Sequence, residues 1–177
     1  MEAVAYRDIE PGEELSISCK PPFPAFTWHV LTWGRDVPLG YPTEARKTLL
    51  HRQWDFNCTC YLCRHPEESE PSDIRKRRIQ KILALMEDRA SLTFEKLEGF
   101  AVEMRGLIED EGMLMQIGSF YSTLARTFYE MGHLTGAVRY GELALETLRE
   151  YIGEDSEQVT RAREFLDEAT RIIKTGG

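Results

Sequence analysis

The stretch MQIGSFYSTLARTFYEMGHLTGAVRYGELALETLREYI, residues Met115 to Ile152, decides the fold class. Read at helical spacing it predicts two helices, Leu114 to Met131 and about Thr135 to Ile152. Gly132 ends the first and Gly153 the second, because glycine supplies the left-handed backbone that a helix C-terminus often adopts. A connection this short makes the two helices antiparallel neighbours.

The same pattern extends in both directions. Ser72 is expected to cap a helix running to about Arg89, and Thr93 to cap another that carries Phe94, Leu97, Ala101, Met104 and Ile108 at spacings of three and four. Gly112 separates that helix from the next. Asp155 or Ser156 caps the last, whose apolar stripe is Val159, Ala162, Phe165, Leu166, Ala169 and Ile172. The expected fold is therefore mainly α, with an antiparallel helical domain over 73–177. Residues 1–65 differ in kind: Pro11, Pro21, Pro22, Pro24, Pro38 and Pro42 prevent any long helix, and all four cysteines and all three tryptophans lie here. Ala3 to Tyr6 and Leu15 to Ser18 read as two short strands around the turn Glu10-Pro-Gly-Glu13. Thr43 can cap a short helix from Glu44 to about Gln53, with Ala45, Leu49 and Trp54 near one face. The polar segment 66–72 reads as a linker between the two parts.

Composition bounds the function. The chain has 177 residues and a net charge of −8, which opposes general affinity for nucleic acid. No apolar run approaches the roughly 18 residues of a membrane span, and the N-terminus does not read as a secretory signal. The expected setting is intracellular and reducing, in nucleus or cytoplasm. Arg75, Lys76, Arg77, Arg78 and Lys81 form a local basic cluster. It reads first as the solvated face of a helix start, with Ile74, Ile79 and Ile82 inward; an import signal or a patch for an acidic partner is the alternative.

Three of the four cysteines sit in Cys58-Thr-Cys60-Tyr-Leu-Cys63, with Phe56 two residues ahead. Three thiolates at this spacing can converge on one Zn²⁺ without backbone strain. A disulfide framework fits poorly, since three thiols cannot pair among themselves and Cys19 could satisfy only one. A thiol nucleophile lacks an evident base. The run supplies three ligands for a tetrahedral ion, and Cys19, His51 or His65 could complete it.

Two resemblances add to this reading. Tyr121, Leu124, Ala125, Phe128, Gly132, Ala137 and Ala144 fall close to the tetratricopeptide-repeat pattern, in which small residues let paired helices approach and larger ones fill the groove. An ordinary helical hairpin is the alternative. Tyr6-Arg-Asp-Ile-Glu-Pro-Gly-Glu-Glu-Leu-Ser-Ile-Ser18 resembles the closing strands of a SET domain, the catalytic fold of many protein-lysine methyltransferases. Gly40-Tyr-Pro-Thr-Glu-Ala-Arg-Lys-Thr-Leu-Leu50 and the Phe-x-Cys-x-Cys-x-x-Cys run are similar to the post-SET segment of the SET/MYND-type branch, which continues into a tetratricopeptide-like helical domain. The resemblance implies a small β and zinc-loop remnant of a SET domain ahead of the helices. It assigns Cys58, Cys60 and Cys63 to structural zinc and Phe56 to packing against S-adenosylmethionine, with Trp54 lining the lysine channel. It also implies a protein or peptide partner that presents a lysine, such as a histone.

The family's Asn-His-Ser-Cys core, its Gly-rich cofactor strand and the MYND zinc module do not occur in this sequence, and Cys19 stands where the family places a catalytic tyrosine. The expectation is a truncated member of a methyltransferase family that is inactive as this chain alone; the alternative is a zinc-containing helical-repeat interaction module without catalysis. Cys19 to about Arg35 interrupts the resemblance. It reads either as a non-homologous insertion, with Met1 an internal start, or as a loop that buries Trp28 and Trp33.

Overall fold

A computed structural model describes residues 41–59 and 61–175, without the side chains of Gln53, Trp54, Tyr61 and Leu62. The expected strands, Cys19, the 19–35 segment, Cys60 and the channel role of Trp54 lie outside the description. The described residues are mainly helical and contain no strand. The elements are α1 (Thr43–Trp54), the single turn α2 (Tyr61–Arg64), α3 (Pro66–Glu87), a 3-10 turn (Arg89–Ser91), α4 (Phe94–Asp110), α5 (Met115–Glu130), α6 (Leu134–Ile152) and α7 (Glu157–Thr175). They fall into two compact units that divide between Ala84 and Leu85.

In the C-terminal unit the sequence signals operate as expected. Gly112 and Gly132 both have left-handed backbones, at φ 65° and 78°. At each, two amides turn back onto the preceding helix: Gly132 N–H donates to Tyr129 O and His133 N–H to Phe128 O, both 2.9 Å. This pair of bonds satisfies carbonyls that a helix end leaves open. Thr93 caps α4 by accepting from Lys96 N–H at 3.3 Å, and Ser156 caps α7 by accepting from Val159 N–H at 3.2 Å.

The helices α4 to α7 run antiparallel in sequence order. The start of α5 meets the end of α6, where a Cβ on Gly118 would lie 2.8 Å from Leu148 Cγ. At the other end, a Cβ on Gly136 would lie 2.9 Å from the Phe128 ring. Leu97, Met104, Ile108, Phe120, Leu124 and Phe128 are all fully buried. Each such side chain contributes on the order of 1.5–3 kcal/mol relative to exposure. Leu145 and Leu148 of α6 close on Val159 and Ala162 of α7, with Ile152 and Leu166 at the margin.

The N-terminal unit departs from expectation. The segment 66–72, read as a linker, forms the first two turns of α3. Pro66 suits a first helical position, because its fixed φ is helical and its missing N–H would have had no partner there. Glu68 and Ser69 donate their amides to His65 O at 3.1 Å, so His65 rather than Ser72 begins the helix. Pro71, in the second turn, removes one bond of the helical ladder. The buried stripe of α3 is Ser69, Ser72, Asp73, Lys76, Ile79, Ile82 and Met86. Ile74, expected inward, is 56 % exposed, whereas Lys76, expected in water, is buried and donates to Ser72 Oγ at 2.8 Å. Likewise α1 buries Thr43, Arg46 and Leu50, while Ala45 is exposed.

Candidate functional site

The thiol run begins where α1 stops. Asp55 ends that helix in a left-handed conformation (φ 48°) and donates its N–H to His51 O at 2.8 Å. Aspartate tolerates this region better than most residues with a side chain. Phe56 follows and is 47 % exposed, so its ring presents an apolar face to solvent. Cys58 is half-buried, and Cys63 is buried on the turn α2. Arg64 Nε donates to Thr59 O.

Cys63 sits beside a cation. Arg46, 5 % exposed, donates from Nη2 to Cys63 Sγ at 3.8 Å and to Thr43 Oγ1 at 3.4 Å, and from Nη1 to Tyr41 O at 3.5 Å. Thr43 donates its N–H and its hydroxyl to Asp73 Oδ1, at 2.7 and 3.0 Å. The carboxylate of α3 thus caps the N-terminus of α1, a place where negative charge is favoured. Thr43, expected to cap its own helix, is instead the donor.

Of the four predicted site residues, Phe56, Cys58 and Cys63 are described and Cys60 is not. Among the described residues, no group of three or more His, Cys, Asp or Glu is arranged to hold a metal ion. The chemistry of the surroundings nonetheless fits a metal–thiolate centre, whose sulfurs carry excess negative charge and accept hydrogen bonds from neighbouring donors. His51 lies 3.4 Å from Asp55 Oδ1 on an exposed edge. His65, half-buried, closes the turn that carries Cys63 and uses its carbonyl to start α3.

A second polar cluster lies in the helical unit. Tyr140 OH donates to Glu98 Oε2 at 2.7 Å, and Arg139 pairs with Glu98 at 3.2 Å. Burial first, then the Glu98 hydrogen bond and charge, push the Tyr140 phenol well above its ordinary value. Tyr140 also stacks on Phe128, with centroids 5.2 Å apart and planes 2° from parallel. The cluster ties α4 to α6 and holds no exposed nucleophile. Sequence reasoning missed it, as it missed Arg46 and Asp73. These polar residues carry no hydrophobic period, and only their tertiary partners show them to be inside.

No protein-family model, curated protein or solved structure matches this chain. Among the described residues, no helix is long and apolar enough to cross a membrane.

Proposed function

We propose that this chain carries a post-SET zinc segment and the helical domain that follows it in SET/MYND-type protein-lysine methyltransferases, and that its own contribution is binding rather than methyl transfer. The observation that carries the reading is the order of elements around the thiols. A helix over the Tyr-Pro-Thr-Glu segment (α1) leads directly into Phe-x-Cys-x-Cys-x-x-Cys, and helices follow from Pro66 to Thr175. Cys58, Cys60 and Cys63 are the zinc ligands in this proposal, and zinc is structural. The exposed Phe56 ring is available to pack against S-adenosylmethionine supplied with the rest of a catalytic site.

The helical unit acts as the binding surface for a protein or peptide partner. Repeat-like packing of α5 against α6 is supported by the close approaches at Gly118 and Gly136 and by the buried Ala137 and Ala144. Methyl transfer needs the amine and the methyl sulfonium aligned in a dry channel. The residues that would build the opposite wall are not in this sequence.

Metal analysis and calorimetry on the purified chain test both halves. The expected result is one zinc per chain and no heat of binding for S-adenosylmethionine. Saturable cofactor binding would replace the module with an enzyme. A chain free of zinc after purification in zinc-containing medium would remove the family reading.

A further inference from the structure

Arg46 has an environment that none of the preceding roles explains. Its guanidinium is buried, and among the described residues no carboxylate forms an ion pair with it. Its hydrogen bonds, at 3.4, 3.5 and 3.8 Å, are long for a charged donor. A buried cation is stable only beside compensating negative charge. Asp73 is linked to Arg46 through Thr43, whose amide and hydroxyl already occupy its Oδ1. Among the described residues, the one hydrogen-bond partner of Arg46 able to carry negative charge is Cys63 Sγ.

We propose that Arg46 is a positioning residue of the zinc segment and supplies the counter-charge of the metal–thiolate centre. This rests on the zinc reading given above. A divalent ion bound by three thiolates carries a net charge of −1, and by four a charge of −2. Either complement suits one buried guanidinium. Cys63 and Arg46 are joined through Thr43 to Asp73, so the chain of contacts runs from the thiol run into both α1 and α3. Metal loading therefore tightens the N-terminus of α1 on α3, and the Arg46–Thr43–Asp73 network in turn raises metal affinity.

Two measurements on the full chain test this. In the first, Co²⁺ is titrated into wild type, Arg46→Gln and Arg46→Lys, and thiolate-to-cobalt absorption is followed. Wild type is expected to bind one ion, Arg46→Gln to bind about 10–100-fold more weakly, and Arg46→Lys to recover most of the loss. Equal affinity for wild type and Arg46→Gln overturns the role of Arg46 and leaves the zinc reading standing. No thiolate absorption from wild type overturns both. The second measurement uses wild type alone and so does not depend on a variant folding. Amide exchange across Thr43–Leu50, a segment that holds no proposed ligand, is expected to slow at least tenfold when zinc is added. Unchanged exchange there, in a chain that has bound zinc, overturns the coupling.

Discussion

Gly118 and Gly136 each sit inside a helix, where glycine ordinarily costs about 1 kcal/mol relative to alanine. Their presence is explained by what a methyl group would strike. At Gly118 it would meet Leu148 Cγ and Cδ2 at 2.8 Å and the Leu148 backbone nitrogen at 3.1 Å. The nitrogen belongs to α6 and cannot yield without moving the helix. At Gly136 it would meet the Phe128 ring, which is itself held by the Tyr140 stack. Overpacking of this kind costs about 1–3 kcal/mol and outweighs the propensity gain. Gly118→Ala and Gly136→Ala are therefore expected to lower the unfolding free energy, measured by urea titration, by about 1–2 kcal/mol. Gly99→Ala and Gly106→Ala meet nothing within 4 Å in α4 and should raise it by about 0.5–1 kcal/mol each. Tyr140 gives a second single-residue expectation. Its phenol ionises at higher pH in the folded chain than its ordinary value of 10.0. The stability it contributes is intact below that value and is lost as pH rises through the folded value. Tyrosinate absorbance should show late-titrating groups, Tyr121 being raised by burial as well, and Tyr140→Phe should remove the Tyr140 contribution together with part of the alkaline destabilisation.

At the scale of elements, the capping of α1 by Asp73 is the contact most open to test. Removing the carboxylate leaves the Thr43 amide and hydroxyl buried without their acceptor. Asp73→Ala is expected to cost about 1.5–3 kcal/mol and to speed amide exchange at Thr43. Asp73→Asn keeps an oxygen in place and should cost clearly less. Equal losses for the two variants would mean that Thr43 finds another partner. The helices of the C-terminal unit were legible because propensity, period and capping agree there. Thr93, Ser156, Gly112, Gly132 and Gly153 mark termini within a residue or two of where the helices begin and end. The start of α3 was not legible. Pro66 and Pro71 read as breakers, and the buried Ser69, Ser72, Asp73 and Lys76 read as a polar linker. What places them inside is a set of partners remote in sequence, such as Thr43 for Asp73. The three thiols of the candidate site were legible by spacing alone. The cation beside Cys63 was not, because Arg46 lies 17 residues away from it on a different helix.

For the molecule as a whole, the division between Ala84 and Leu85 separates two kinds of interior. The C-terminal unit has an apolar core of its own, from Leu97 and Met104 through Phe120 and Phe128 to Leu148 and Val159. A peptide of residues 85–175 is expected to keep cooperative unfolding and close to full helical ellipticity per residue. A coil spectrum would show that this core needs the other unit. In the described part of that other unit, Thr43, Arg46, Asp73 and Lys76 are buried alongside Leu50, Cys63, Ile79 and Ile82. The reach of the Thr43–Asp73 bond across 30 residues has a consequence for biosynthesis. Neighbouring helices joined by glycine turns make local contacts, and topologies of that kind fold on the order of microseconds to milliseconds. A ribosome adding about 5–20 residues per second delivers Asp73 roughly 1.5–6 seconds after Thr43. For that interval α1 has no Asp73 cap, and the Thr43 amide and hydroxyl stay in water until α3 arrives with their acceptor.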